Sequence, residues 1–136
     1  MGIVLAILLF GFIVFFHELG HFLLAKKNHI EVVEFSLGMG PRILSTVKGG
    51  TRYSLKLLPI GGACMFEGED GLNEKEDGED HSGSFLNANV WARISTVLAG
   101  PIFNFILGFI IAFIMVNLIV IRDPVATEIV DGGAAQ

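Results

Sequence analysis

Two long apolar stretches separated by a mixed polar segment dominate the chain. The first runs over 3–25 and is broken only by His17, Glu18, His21 and small residues. The second runs over about 94–121, interrupted only by Asn104, Asn117 and small residues. At 1.5 Å per residue each is long enough to cross a hydrocarbon core of about 30 Å, the second with some tilt. Trp91 and Arg93 stand where interfacial anchors are expected, and Arg122-Asp123-Pro124 ends the second stretch. Between the spans, 31–37 and 51–58 read as short β-strands, with turn signals at Gly38-Met39-Gly40-Pro41 and Lys48-Gly49-Gly50. The apolar segment 57–66 contains Pro59, Gly61 and Gly62 and is too short to span. It reads either as a β-loop re-entering the membrane, with its backbone satisfied by protein, or as a hairpin resting on the membrane surface.

The predicted fold class is an α-helical polytopic membrane protein: two transmembrane helices and an intervening cytoplasmic loop that holds short β-hairpins or a re-entrant β-loop. The expected divisions are 1–25 (first helix), 26–66 (β-hairpin or re-entrant loop), 67–90 (acidic flexible loop), 91–121 (second helix) and 122–136. In the last, a strand-like run at 126–130 precedes Asp131-Gly132-Gly133, which suggests the start of an outer domain in a longer protein.

Composition supports a membrane setting. Apolar residues make up 52% of the chain and mean hydropathy is +0.66, above the range of soluble domains. The net charge of −5 hides a segregation, with eight of the fourteen acidic residues in 67–80 and eight of the nine Lys and Arg between Lys26 and Arg93. The positive-inside rule therefore puts the connecting loop in the cytoplasm and both ends outside. No basic stripe suits nucleic acid. Cys64 is the sole cysteine, which excludes an intrachain disulfide, and it reads as a small buried residue. The first stretch lacks a basic leading segment and a small-residue cleavage site, so it reads as an uncleaved helix. Met1-Gly2 is followed by Ala6 where myristoylation wants Ser or Thr.

The chemistry lies in His17-Glu18-Leu19-Gly20-His21. Two histidines four apart share one helix face, so both can turn a ring nitrogen to one Zn²⁺, and the glutamate between them can act as a general base. Ionisable groups inside a span are costly and by default mark a functional site. The alternatives are a non-catalytic metal-binding membrane protein and a scaffold whose histidines bond backbone carbonyls. Gly100 and Pro101 suit a close approach of the second helix to the first. Asn104 points either at the site or at a carbonyl of a neighbouring helix.

His-Glu-Leu-Gly-His in a first span, Glu34 to Pro41 (EFSLGMGP), Leu58-Pro59-Ile60-Gly61-Gly62 and Gly100-Pro101-Ile102-Phe103-Asn104 occur together here. This combination resembles the site-2 protease family of intramembrane zinc metalloproteases, in its bacterial branch with a PDZ domain, over nearly the whole chain. The resemblance implies a zinc-dependent endopeptidase of the inner or plasma membrane, multi-pass, with an extracytoplasmic N-terminus. His17 and His21 would be metal ligands and Glu18 the catalytic base. Substrates would be single-span membrane proteins, such as anti-sigma factors, or signal-peptide remnants. A third ligand would come from an aspartate on a later helix, so this chain alone should hold an incomplete and inactive site. The segment 51–66 would serve as a clamp that adds an extended substrate as a strand.

Overall fold

A computed structural model describes residues 1–69 and 82–120. Four elements follow in order: α1 (Gly2–Lys27), β1 (Val32–Lys48), β2 (Thr51–Phe66) and α2 (Val90–Val120). The start of the outer domain expected at 122–136, and most of the acidic run, lie outside the described residues.

Helix α1 is apolar on every side, as its sequence requires, and Lys26 and Lys27 occupy its last turn, where cations oppose the helix dipole. It closes at Asn28, whose backbone N–H bonds back to Leu24 and Ala25, and the chain leaves through His29 at φ 59°. Helix α2 opens at Asn89, whose side-chain oxygen accepts the N–H of Trp91 at 2.9 Å. Both helices are long and apolar enough to cross a membrane.

The strands correct the expectation of short hairpins. The stretches 31–37 and 51–58 fall inside two long antiparallel strands, each of which supplies two segments of the sheet. Lys48 and Thr51 close a tight hairpin through Gly49 and Gly50, both at positive φ, the pattern of a two-residue primed turn. Residues 44–47 then pair with 52–55. The first half of β1 lies between two partners. Leu37 faces Gly62 on one side and Leu55 on the other, and Glu34 faces Met65 and Arg52. The order across the sheet is therefore 44–48, 51–55, 34–37 and 62–66. The corner in β1 depends on Gly38 at φ 85°, where an added Cβ would collide with the Leu58 carbonyl oxygen. The segment 57–66 is thus the second half of β2, with its backbone bonded to β1.

The sheet packs on α1 through aromatic rings. Phe35 lies 6.2 Å from Phe15 and 5.3 Å from Phe22, and Tyr53 lies 5.9 Å from Phe22, all between ring centroids. A small core of Ala25, Ile30, Val32 and Phe66, flanked by Phe85, Ala88 and Ala92, joins the end of α1, the sheet and the entry to α2. Phe66 and Phe85 stack at 5.3 Å. Backbone bonds lock this junction: Glu67 N–H to Glu31 O, Phe85 N–H to Glu67 O, and Glu31 N–H to Gly83 O. The ends of the expected acidic loop are therefore fixed parts of the fold. Outward surfaces stay apolar on α2, at Phe105 and Phe109, and on the distal sheet, at Met39, Leu57, Leu58 and Ile60.

Candidate metal centre

Helical spacing divides the motif between two faces of α1. Phe15, Glu18 and Phe22 fall on the sheet side, while His17, Gly20 and His21 fall on the α2 side. The helices approach closely because the crossing point is built from small residues. A Cβ on Gly20 would sit 2.6 Å from the Ala99 carbonyl oxygen. On the facing helix, a Cβ on Gly100 would stand 2.7 Å from His17 Nε2 and would collide with His21 Nε2. The two Nε2 atoms therefore converge on the space above Gly100, and only the absent side chain keeps that space open.

The imidazoles are one turn apart, with centroids at 4.9 Å and planes at 78°. His21 Nδ1 lies 2.9 Å from the Thr96 carbonyl oxygen. A carbonyl only accepts, so Nδ1 carries the proton and Nε2 presents its lone pair to Gly100. An outer partner of this kind typically orients a metal-ligating histidine. Asn28 secures the same turn of α2, its Nδ2 lying 3.1 Å from the Ala92 oxygen and 3.0 Å from both Ser95 Oγ and Thr96 Oγ1. His17 Nδ1 lies 3.1 Å from Asn104 Nδ2. Asn104 Oδ1 is buried and has no partner among the described residues.

Glu18 sits on the other face, beside the outer sheet segment. A Cβ on Gly62 would stand 2.9 Å from Glu18 Cγ and 3.1 Å from the Ser36 carbonyl oxygen, so glycine there lets the sheet reach the carboxylate. Neighbouring Cys64 is a free thiol that burial pushes up to about 12, with the negative charges of Glu18 and Glu69 adding to the effect. Where the sequence suggested a buried residue, Cys64 is half-buried and packs against the core that contains Val32 and Phe66. An open groove of about 680 Å³ leads along α2 to His17, past Asn104, Pro101 and Phe105.

The arrangement fits a metal ion, with two imidazole Nε2 atoms brought to one point, a cradle that a methyl group would fill, and a carboxylate one residue along. Among the described residues no group of three His, Cys, Asp or Glu could hold the ion alone. Asp131 lies outside those residues. The structure therefore brings His17, His21, Gly100 and Asn104 together and holds Glu18 next to them on the sheet side. Asn28 and Thr96 escaped the sequence reading. A polar residue at the end of the first apolar run and a hydroxyl one turn before Gly100 were the signals available.

Comparison with known proteins converges on the same chemistry. The profile of peptidase family M50 matches residues 5–132. A protein of Clostridium acetobutylicum, named provisionally as a zinc metalloprotease, is 45% identical over 107 residues, covering 79% of this chain and 30% of that protein. The zinc metalloprotease RasP of Bacillus licheniformis is 30% identical over 207 residues, covering 95% of this chain and 49% of its own length. A relative in Thermotoga maritima with the same provisional name is 35% identical over 136 residues, the whole chain and 27% of the relative. The chain spans between about a quarter and a half of the length of these relatives. The match over almost the full sequence, together with the paired histidines and flanking glutamate, establishes that the chain belongs to peptidase family M50.

Proposed function

We propose that this chain forms the zinc-binding and proton-transferring part of a membrane-embedded endopeptidase. The observation that carries the reading is the convergence of His17 Nε2 and His21 Nε2 on the cradle left by Gly100. Helices α1 and α2 both cross the membrane, with the sheet on the cytoplasmic side and the N-terminus outside. His17 and His21 hold Zn²⁺ through Nε2, and an aspartate from a later helix of the longer protein completes the ligand set. Bound zinc supplies a Lewis acid and lowers the pKa of water towards ~7. Glu18 takes a proton from the attacking water on its carboxylate and delivers it to the leaving amine. The His21–Thr96 bond holds one imidazole in its tautomer.

Substrates are single-span membrane proteins or signal-peptide remnants. Their scissile carbonyls are tied up in helical hydrogen bonds, so the segment must unwind first. An extended peptide added by β-addition along the outer sheet segment 62–66 would pass Glu18, which Gly62 approaches.

The test is zinc content and turnover of the full-length protein in detergent, with His17→Ala and Glu18→Gln variants. Zinc near one per chain, absent from His17→Ala and retained in Glu18→Gln with turnover reduced by about 10²–10⁴-fold, is expected. Unchanged turnover in Glu18→Gln would rule out Glu18 as the base, and zinc bound by a wild type without turnover would identify a non-catalytic metal site.

A further inference from the structure

The two histidines are held in unlike ways, and the difference exposes a role for Asn104. A neutral imidazole has one N–H and one lone pair. His21 donates from Nδ1 to Thr96, so its lone pair faces Gly100. With Asn104 Nδ2 donating to His17 Nδ1 at 3.1 Å, the proton of His17 sits on Nε2 and its lone pair faces away from Gly100. In that arrangement only one nitrogen donor is available. A half-turn of the carboxamide about Cβ–Cγ exchanges Nδ2 and Oδ1 almost isosterically. One end of the amide lacks a partner among the described residues in either orientation, and at present it is the buried Oδ1. The cost of the amide is therefore similar both ways, and the state of His17 decides between them.

We propose that Asn104 is a positioning residue that presents Oδ1 to His17 Nδ1–H when a metal is bound. This holds His17 in the same tautomer as His21. The inference rests on His17 and His21 being zinc ligands, and it assigns α2 a share in both: a backbone carbonyl orients one imidazole and a side-chain amide the other.

Two substitutions test the acceptor. Asn104→Asp keeps an oxygen facing Nδ1–H, while Asn104→Leu keeps the bulk and removes the acceptor. In full-length protein, zinc affinity measured by chelator competition should fall about 10–100-fold in Asn104→Leu, the usual effect of losing such a partner, and stay within about threefold of wild type in Asn104→Asp. The visible spectrum of the Co²⁺-substituted protein should shift in Asn104→Leu alone. Histidine ¹⁵N shifts should show the His17 proton on Nδ1 in zinc-loaded wild type. Thermal melting of each metal-free variant separates a folding defect from loss of the acceptor. Wild-type affinity in Asn104→Leu, equal losses in both variants, or a His17 proton on Nε2 in the loaded protein would overturn the assignment. Wild-type protein that binds no more zinc than His21→Ala would overturn the metal reading itself and this inference with it.

Discussion

The two sides of α1 are built on different principles. Towards α2, small residues and directional polar contacts set positions: Gly20 against Ala99, Gly100 against the imidazoles, Thr96 and Asn104 on the ring nitrogens. Towards the sheet, aromatic bulk dominates, with Phe15, Phe22, Phe35 and Tyr53 in tilted and edge contacts, and Gly62 is the point where the sheet reaches Glu18. A metal ligand must be placed within a fraction of an ångström, whereas packed rings keep their stabilisation through small shifts. Binding and stability should therefore respond separately to substitution on the two sides.

The sharpest break of this division is Gly100→Ala. Its methyl group must take the space beside both Nε2 atoms, so zinc affinity should drop by more than about a hundredfold, beyond the loss of an outer partner. Competition titration measures this, and wild-type affinity would show that the imidazoles do not converge there in solution. Next is Phe35→Ala on the opposite side. Phe35 is 8% exposed and meets three aromatic rings, so its removal should cost about 3 kcal/mol of stability by denaturant titration in detergent. Zinc affinity per folded molecule should not change. A large loss of affinity in Phe35→Ala would mean that the two sides are coupled.

The smallest effect lies in the sheet, away from both faces. The Arg42 guanidinium hydrogen-bonded to Glu34 holds its carboxyl below the ordinary 4.5, and the charge of Lys56 helps against the opposing effect of burial. A carboxyl whose pKa is lower in the folded state stabilises at pH above its unfolded value, and this contribution fades as pH falls through the folded value. Melting temperatures should therefore decline below about pH 4.5 in wild type, with a weaker decline in Arg42→Ala. Identical pH curves would show that the ion pair does not persist in solution.

These contrasts also explain what could be read from the sequence. The juxtaposition of His17 and His21 was legible because helical spacing alone puts the two histidines on one face. Gly100 and Asn104 stood out as small and polar residues in an apolar span, yet the choice for Asn104 between the site and a neighbouring carbonyl needed the crossing geometry. It meets His17. The turn at Gly49-Gly50 was legible from local chemistry. The segment order of the sheet was not, because Glu34–Leu37 lies between 52–55 and 62–65, and strand order depends on pairings distant in sequence that no local pattern encodes. Thr96 and Asn28 were missed for a related reason. Thr96 acts through its backbone oxygen, 75 positions from His21, and the partners of Asn28 lie 64 to 68 positions away.

The lock formed by Glu31, Glu67, Gly83 and Phe85 has a topological consequence. It brings the two halves of the chain together at the base of the acidic run, so the covalent path from Glu69 to Ser82 is not what registers α2 against α1. Each doubling of that path should cost only about 0.6 kcal/mol in closure entropy. Cut there, the molecule becomes two complementary pieces, one bearing the histidines and the other the glycine cradle, and the functional centre becomes an interface between them.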